Sequence, residues 1–181
     1  MKKRSLLALL LAGLLALALT ACGGSGAGEE PAAEEVPDYL GTYNLVSIKM
    51  GPILVTPEEF GYAGAYMELK EDGKLTFSDG SDTEEVPYTV DGTAFSMEEN
   101  GNTMTGTIQD GCVELGFTGA MLDAEGDDVI MTMAFAKEGS AQETALKEEL
   151  EAAGSMDDQM EAMSMEELSA FVEEYSAIFG G

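Results

Sequence analysis

Residues 38–181 predict an all-β fold: an antiparallel eight-stranded meander closed into an up-and-down barrel, followed by a C-terminal α-helical segment. Three observations carry that expectation. Asp72-Gly73, Asp91-Gly92 and Asp110-Gly111 fall 19 residues apart, twice in succession. The runs between them alternate apolar and polar residues. After Lys137 the apolar period lengthens to that of a helix. Asp-Gly is a strong hairpin signal because both central residues of a type I′ turn need positive φ. Alternation with a period of two marks a strand with one buried face.

The chain opens on a cationic head, Lys2, Lys3 and Arg4, followed by an almost unbroken run of Leu and Ala. A charged n-region, a short apolar h-region and a small-residue site make a secretory signal over residues 1–21. The apolar run is shorter than the roughly 20 residues of a membrane span. Leu19-Thr20-Ala21-Cys22 resembles the bacterial lipobox. That resemblance implies a diacylglyceryl group on the Cys22 thiol, cleavage before Cys22, and a lipid anchor in the bacterial cell membrane on its extracytoplasmic side. Two acyl chains anchor stably because each buried CH₂ contributes about 0.8 kcal/mol. Residues 22–37 then form the lipidated cysteine and an acidic linker, GGSGAGEEPAAEEVP, with almost nothing to bury. A flexible tether of this length spans roughly 5–6 Å × √15, about 20 Å.

The barrel is expected over 38–138. Its first strand runs from about 41 to 49. Thr56-Pro57-Glu58-Glu59 then places a Thr at an N-cap, Pro at the first helical position and Glu at the third, so a short helical turn is expected there. The first hairpin sets Met67 and Leu69 against Leu75 and Phe77 on one face. The second sets Val86, Tyr88 and Val90 against Phe95 and Met97. The third sets Met104 and Ile108 against Val113, Leu115 and Phe117. A last strand, about 128 to 137, carries Met131, Met133 and Phe135 on one face. Closure buries that face and removes the sheet edges; an open, strongly curved sheet is the alternative. The tail, 139–181, is acidic, Met-rich and helical. One helix is expected at 144–153. Ser164-Met165-Glu166-Glu167 is a capping box that opens another, with Leu168, Phe171, Val172, Tyr175, Ile178 and Phe179 on one stripe. That stripe covers either the chain's own barrel or a partner. Met156, Met160, Met163 and Met165 precede it, as an adaptable surface or as linker.

Composition bounds the function. Removing residues 1–21 leaves 160 residues, enough for one domain with its own core. It also leaves five basic residues against 35 acidic, a net charge of −30. Such a surface repels phosphate backbones and anionic headgroups, so nucleic acid is not an expected partner. With no histidine in the chain, histidine-based triads and the common zinc sites are excluded. Once Cys22 is lipidated, Cys112 stands alone, with no cationic neighbours to activate its thiol. Asp123-Ala124-Glu125-Gly126-Asp127-Asp128 lacks EF-hand spacing and reads as an acidic turn between strands. No Gly-rich loop precedes a helix in a phosphate-binding arrangement. Neither catalysis, a metal nor a cofactor is expected.

Gly41-Thr42-Tyr43-Asn44-Leu45 resembles the Gly-x-Trp opening of the lipocalins and of shorter bacterial lipocalin-like domains. Met133-Ala134-Phe135-Ala136-Lys137 resembles their closing strand, where a basic residue packs over the Trp. Here Tyr replaces the Trp, and Lys137 stands for the basic residue, since no Arg follows Arg4. The resemblance implies an eight-stranded barrel with an external helix, with Lys137 over Tyr43. By that analogy the expected function is binding of a small apolar or amphipathic ligand inside the barrel. The inner residues Tyr43, Leu45, Met67, Phe77, Tyr88, Phe95, Met104, Phe117 and Met133 would line it. The alternative is an envelope interaction or inhibitor protein with a filled barrel, acting through its outer surface or C-terminal helix.

Overall fold

The structure is a computed structural model that describes residues 37–99, 101–122 and 128–179. Residues 1–36, which include the expected leader, Cys22 and most of the expected linker, lie outside the described residues. So do Asn100 and most of the acidic loop, 123–127. Nine strands follow in order: β1 (Gly41–Met50), β2 (Ile53–Val55), β3 (Tyr66–Leu69), β4 (Lys74–Ser78), β5 (Thr83–Asp91), β6 (Ala94–Glu99), β7 (Asn102–Gln109), β8 (Cys112–Thr118) and β9 (Val129–Ala136). Three helices close the chain: α1 (Ala141–Ala153), α2 (Met156–Ala162) and α3 (Met165–Phe179). Among the described residues no helix is long and apolar enough to cross a membrane.

Strands β1 and β3–β9 form a closed eight-stranded antiparallel barrel. Sequential neighbours pair, and β1 meets β9 from Asn44 opposite Ala136 to Met50 opposite Met131. The Asp-Gly hairpins form where the sequence places them, and Gly73, Gly92 and Gly111 all have positive φ. Of the three aspartates only Asp110 shares that conformation, at φ 52°, so the expected type I′ geometry appears at the third hairpin alone; the second turns on Gly92-Thr93 between Asp91 and Ala94, and the first on a longer loop closed by Lys70 N–H to Lys74 O.

Three details depart from the expected pattern. First, β1 does not alternate throughout. Its register against β9 shifts between Leu45 and Ser47. This bulge adds one residue and reverses the phase, so Tyr43 and Leu45 face inward before it, and Ile48 and Met50 after it. Second, β2 is an additional strand. The chain turns back at Gly51, φ 53°, and β2 pairs with Ile48, Lys49 and Met50. On that side β1 has already left β3 at Asn44, so β2 covers an edge that the barrel leaves open. Third, the Thr56 capping box forms, with Glu59 N–H donating to Thr56 Oγ1 and Thr56 N–H to Glu59 Oε2. The segment nevertheless stays a turn, held by bonds such as Phe60 N–H to Pro57 O, and ends at Gly61 with φ 86°.

The core lies inside the barrel and extends under the helices. Helix α1 packs on β1, β2 and β9. The outer faces there carry small buried side chains, Ser47, Ala134 and Ala136, which let a helix approach closely. It starts at Ser140, whose side chain accepts from Glu143 N–H. The Ser164 box opens α3 as expected, with Ser164 and Glu167 bonded reciprocally. Phe171 and Tyr175 are 4% and 2% exposed and belong to the core cluster, so this part of the stripe packs on the chain's own core; the side chains of Ile178 and Phe179 lie outside the described residues. Val172, assigned to that stripe, is 55% exposed instead, because one helical face cannot turn both Phe171 and Val172 fully inward. Residues 156–162, left open between surface and linker, form α2, and Met156, Met160 and Met163 pack half-buried against the core.

Candidate functional site

Alternation in the strands aims nine expected lining residues at the barrel axis. Seven of them, Tyr43, Leu45, Met67, Tyr88, Phe95, Met104 and Met133, are 8% exposed or less. They belong to one continuous apolar cluster, which Phe77 and Phe117 adjoin half-buried. Tyr88 stacks on Phe95 with ring centroids 6.0 Å apart, and Phe77 meets Phe135 edge-on at 6.2 Å. The Tyr88 hydroxyl donates to Lys70 O at 2.7 Å, so its polar end is satisfied at the barrel rim. Gly106 sits opposite both Phe95 and Leu115. A Cβ there would lie 1.8 Å from Glu114 O, so the strand crossing itself requires glycine.

The polar feature of the barrel is at the end where β1 begins and β9 finishes. Lys137 Nζ lies 5.2 Å from the centre of the Tyr43 ring. It also donates to Asp38 O. Tyr43 O–H donates to Tyr39 O at 2.7 Å. The two residues that the lipocalin resemblance pairs are thus in contact, and a buried ring face opposite a cation is a favourable electrostatic arrangement. Burial, and secondarily the Asp38 charge, pushes the Tyr43 hydroxyl up to about 12. This latch ties the entry of the chain, 38–43, to its exit from the barrel.

Recesses lined by described residues include three of similar size. One, of about 240 Å³, lies at the latch end, beside Asp38, Tyr39, Tyr43, Ile108, Gln109 and Asp110. A second, about 250 Å³, lies at the opposite end beside Phe77, Asp79, Asp82, Thr83 and Glu84. The third, about 250 Å³, is beside Cys112, Glu114 and Gln142. Each is below the roughly 300–1,000 Å³ of drug-sized ligand pockets. Of the nine residues, Tyr43 borders the recess at the latch end and Phe77 the one at the opposite end.

Burial, with Glu114 nearby, pushes the Cys112 thiol up to about 11, so it stays protonated at neutral pH. Glu85 is held down to about 2 by Lys74 and Lys70, at 2.6 and 3.0 Å, on the outer surface. Among the described residues, no three His, Cys, Asp or Glu side chains gather to hold a metal ion. One polar residue escaped the sequence reading. Gln159, on α2, accepts from Leu54 N–H at 2.9 Å and donates to Leu54 O at 2.6 Å, across 105 residues of sequence. A glutamine in an acidic helix carries no signal of such a contact.

No protein-family model matches the chain, and neither a curated protein nor a solved structure does.

Proposed function

We propose that the mature chain is an extracytoplasmic lipoprotein, held to the bacterial cell membrane by diacylglyceryl on Cys22. Its barrel is a non-enzymatic interaction module with a filled interior, which meets an envelope protein through its outer surface. The packing of the inner face carries this reading: seven of the nine candidate lining residues are 8% exposed or less and touch one another in a single cluster. A ligand on the barrel axis would have to displace those side chains, and displacing well-packed core groups is costly. The net charge of −30 supports a partner other than nucleic acid, with a neutral or basic surface.

Native mass spectrometry of the compact unit, residues 36–181, tests the module. A bare mass and no uptake of apolar fluorescent probes are expected. A reproducible extra mass that organic solvent strips away would overturn the reading in favour of a small apolar or amphipathic ligand. The anchor is tested separately. Cys22→Ala moves the protein from the detergent phase to the aqueous phase and abolishes palmitate labelling; retention of both properties would refute lipidation.

A further inference from the structure

We propose that α2 and α3 form a redox-sensitive strap, which oxidation of Met156, Met160 and Met163 to sulfoxides releases from the edge of β2. The edge is the first observation. β2 pairs with β1 on one side only. On its other side Gln159 takes both backbone groups of Leu54, acting as a one-residue substitute for a neighbouring strand. The same amide donates to Gly154 O at 3.1 Å, so it is oriented by the C-cap of the preceding helix, α1. Met156 N–H donates to Glu59 Oε1 at 3.3 Å. Unpaired strand edges are templates for pairing with other chains, and covering them is how folds control that hazard.

The second observation is what holds Gln159 there. Helix α2 has seven residues and no buried one. Its apolar attachment is Met156, Met160 and Met163, at i, i+4 and i+7, all half-buried against the core. Such sulfurs are close enough to solvent to meet an oxidant, and their loss from the apolar contact matters. Seven other methionines form natural controls, while Met121 is half-buried against the core as the strap residues are. Six in the barrel wall are 5% exposed or less, and Met165 is 82% exposed. A peroxide supplies the oxygen: the thioether sulfur attacks one peroxide oxygen, the O–O bond breaks as the S–O bond forms, and the other oxygen leaves as water. Sulfur loses two electrons and the peroxide gains them. The product is a polar group where an apolar one was packed. Phe171 and Tyr175 still anchor α3 near Gly51, so release begins at α2.

The test uses the mature full-length chain in detergent micelles, titrated with hydrogen peroxide. Peptide mapping locates each added oxygen, and hydrogen exchange follows the Leu54 amide. Met165 should oxidise first without effect on that amide. When Met156, Met160 and Met163 oxidise, Leu54 exchange should accelerate about tenfold or more while β7–β9 remain protected. Methionine sulfoxide reductases acting on both epimers should restore slow exchange. The triple variant Met156→Leu, Met160→Leu, Met163→Leu should keep Leu54 protected at the same peroxide dose. Unchanged Leu54 exchange in the fully oxidised wild-type strap would overturn the proposal. Release of equal size in a folded triple variant would also overturn it.

Discussion

The barrel wall and the helices wrapped on it are held by different physics. In the wall, inward side chains from eight strands meet in one cluster, and most are 8% exposed or less. Each strand is bonded on both sides, so no strand of the closed ring can leave without breaking two ladders. Helices α1 and α2 contain no fully buried residue. Their order comes from caps at Ser140 and Ser155, half-buried Leu and Met contacts, and the Gln159 clasp. Helix α3 instead places fully buried side chains in the core, Phe171 and Tyr175, whose rings stack 4.6 Å apart. The difference teaches that global stability resides in the wall, whereas the tail opens in separate, cheaper steps.

The largest test of that division is Phe95→Ala. It removes a ring that is 2% exposed from the middle of the cluster. It should cost about 3–5 kcal/mol of unfolding free energy, measured by chemical denaturation. Tyr175→Ala removes a ring with the same burial, yet its cost is capped by the docking energy of the strap. A loss of about 1–3 kcal/mol is expected. Hydrogen exchange should rise in α2 and α3 and stay slow in β7–β9. Equal acceleration in the strands would show that helices and barrel unfold as one unit.

Gln159→Ala leaves Leu54 N–H and C=O without their side-chain partner. The expected cost is about 1–2 kcal/mol, with faster exchange confined to β2 and α2. The smallest effect concerns pH. The Tyr43 hydroxyl is raised from an ordinary 10.0 to about 12 in the folded chain, so the folded state holds its proton more tightly than the unfolded state. Its contribution is complete below pH 10 and is lost as pH rises through 12. Tyr43→Phe should therefore flatten the fall in denaturation midpoint over that window, compared with wild type. An unchanged alkaline slope would assign the effect to other groups.

Eight strands were legible because each carries the period-two pattern between glycine turns. Residues 53–55 were not, since Ile-Leu-Val has no alternation. All three are buried: two face the core, and Leu54 lies under helices that come a hundred residues later. The β1 bulge was equally hidden, because Val46 and Ser47 look like an ordinary strand segment until β9 and α1 cover both faces. The Lys137–Tyr43 contact was legible only through resemblance, since 94 residues separate the partners.

By itself the sequence determined the meander, its turns, the inward faces, the acidic surface and the helical tail. These are local properties: a turn needs its glycine, a strand its alternation and a helix its cap, and each sits within a few residues of its cause. Tertiary structure alone decided the bulged register in which β1 closes on β9, the docking of Phe171 and Tyr175, the half-burial of the strap methionines and the sealing of the β2 edge by Gln159. Those outcomes depend on which distant backbone groups and side chains compete for the same space, and no short stretch of sequence records that competition.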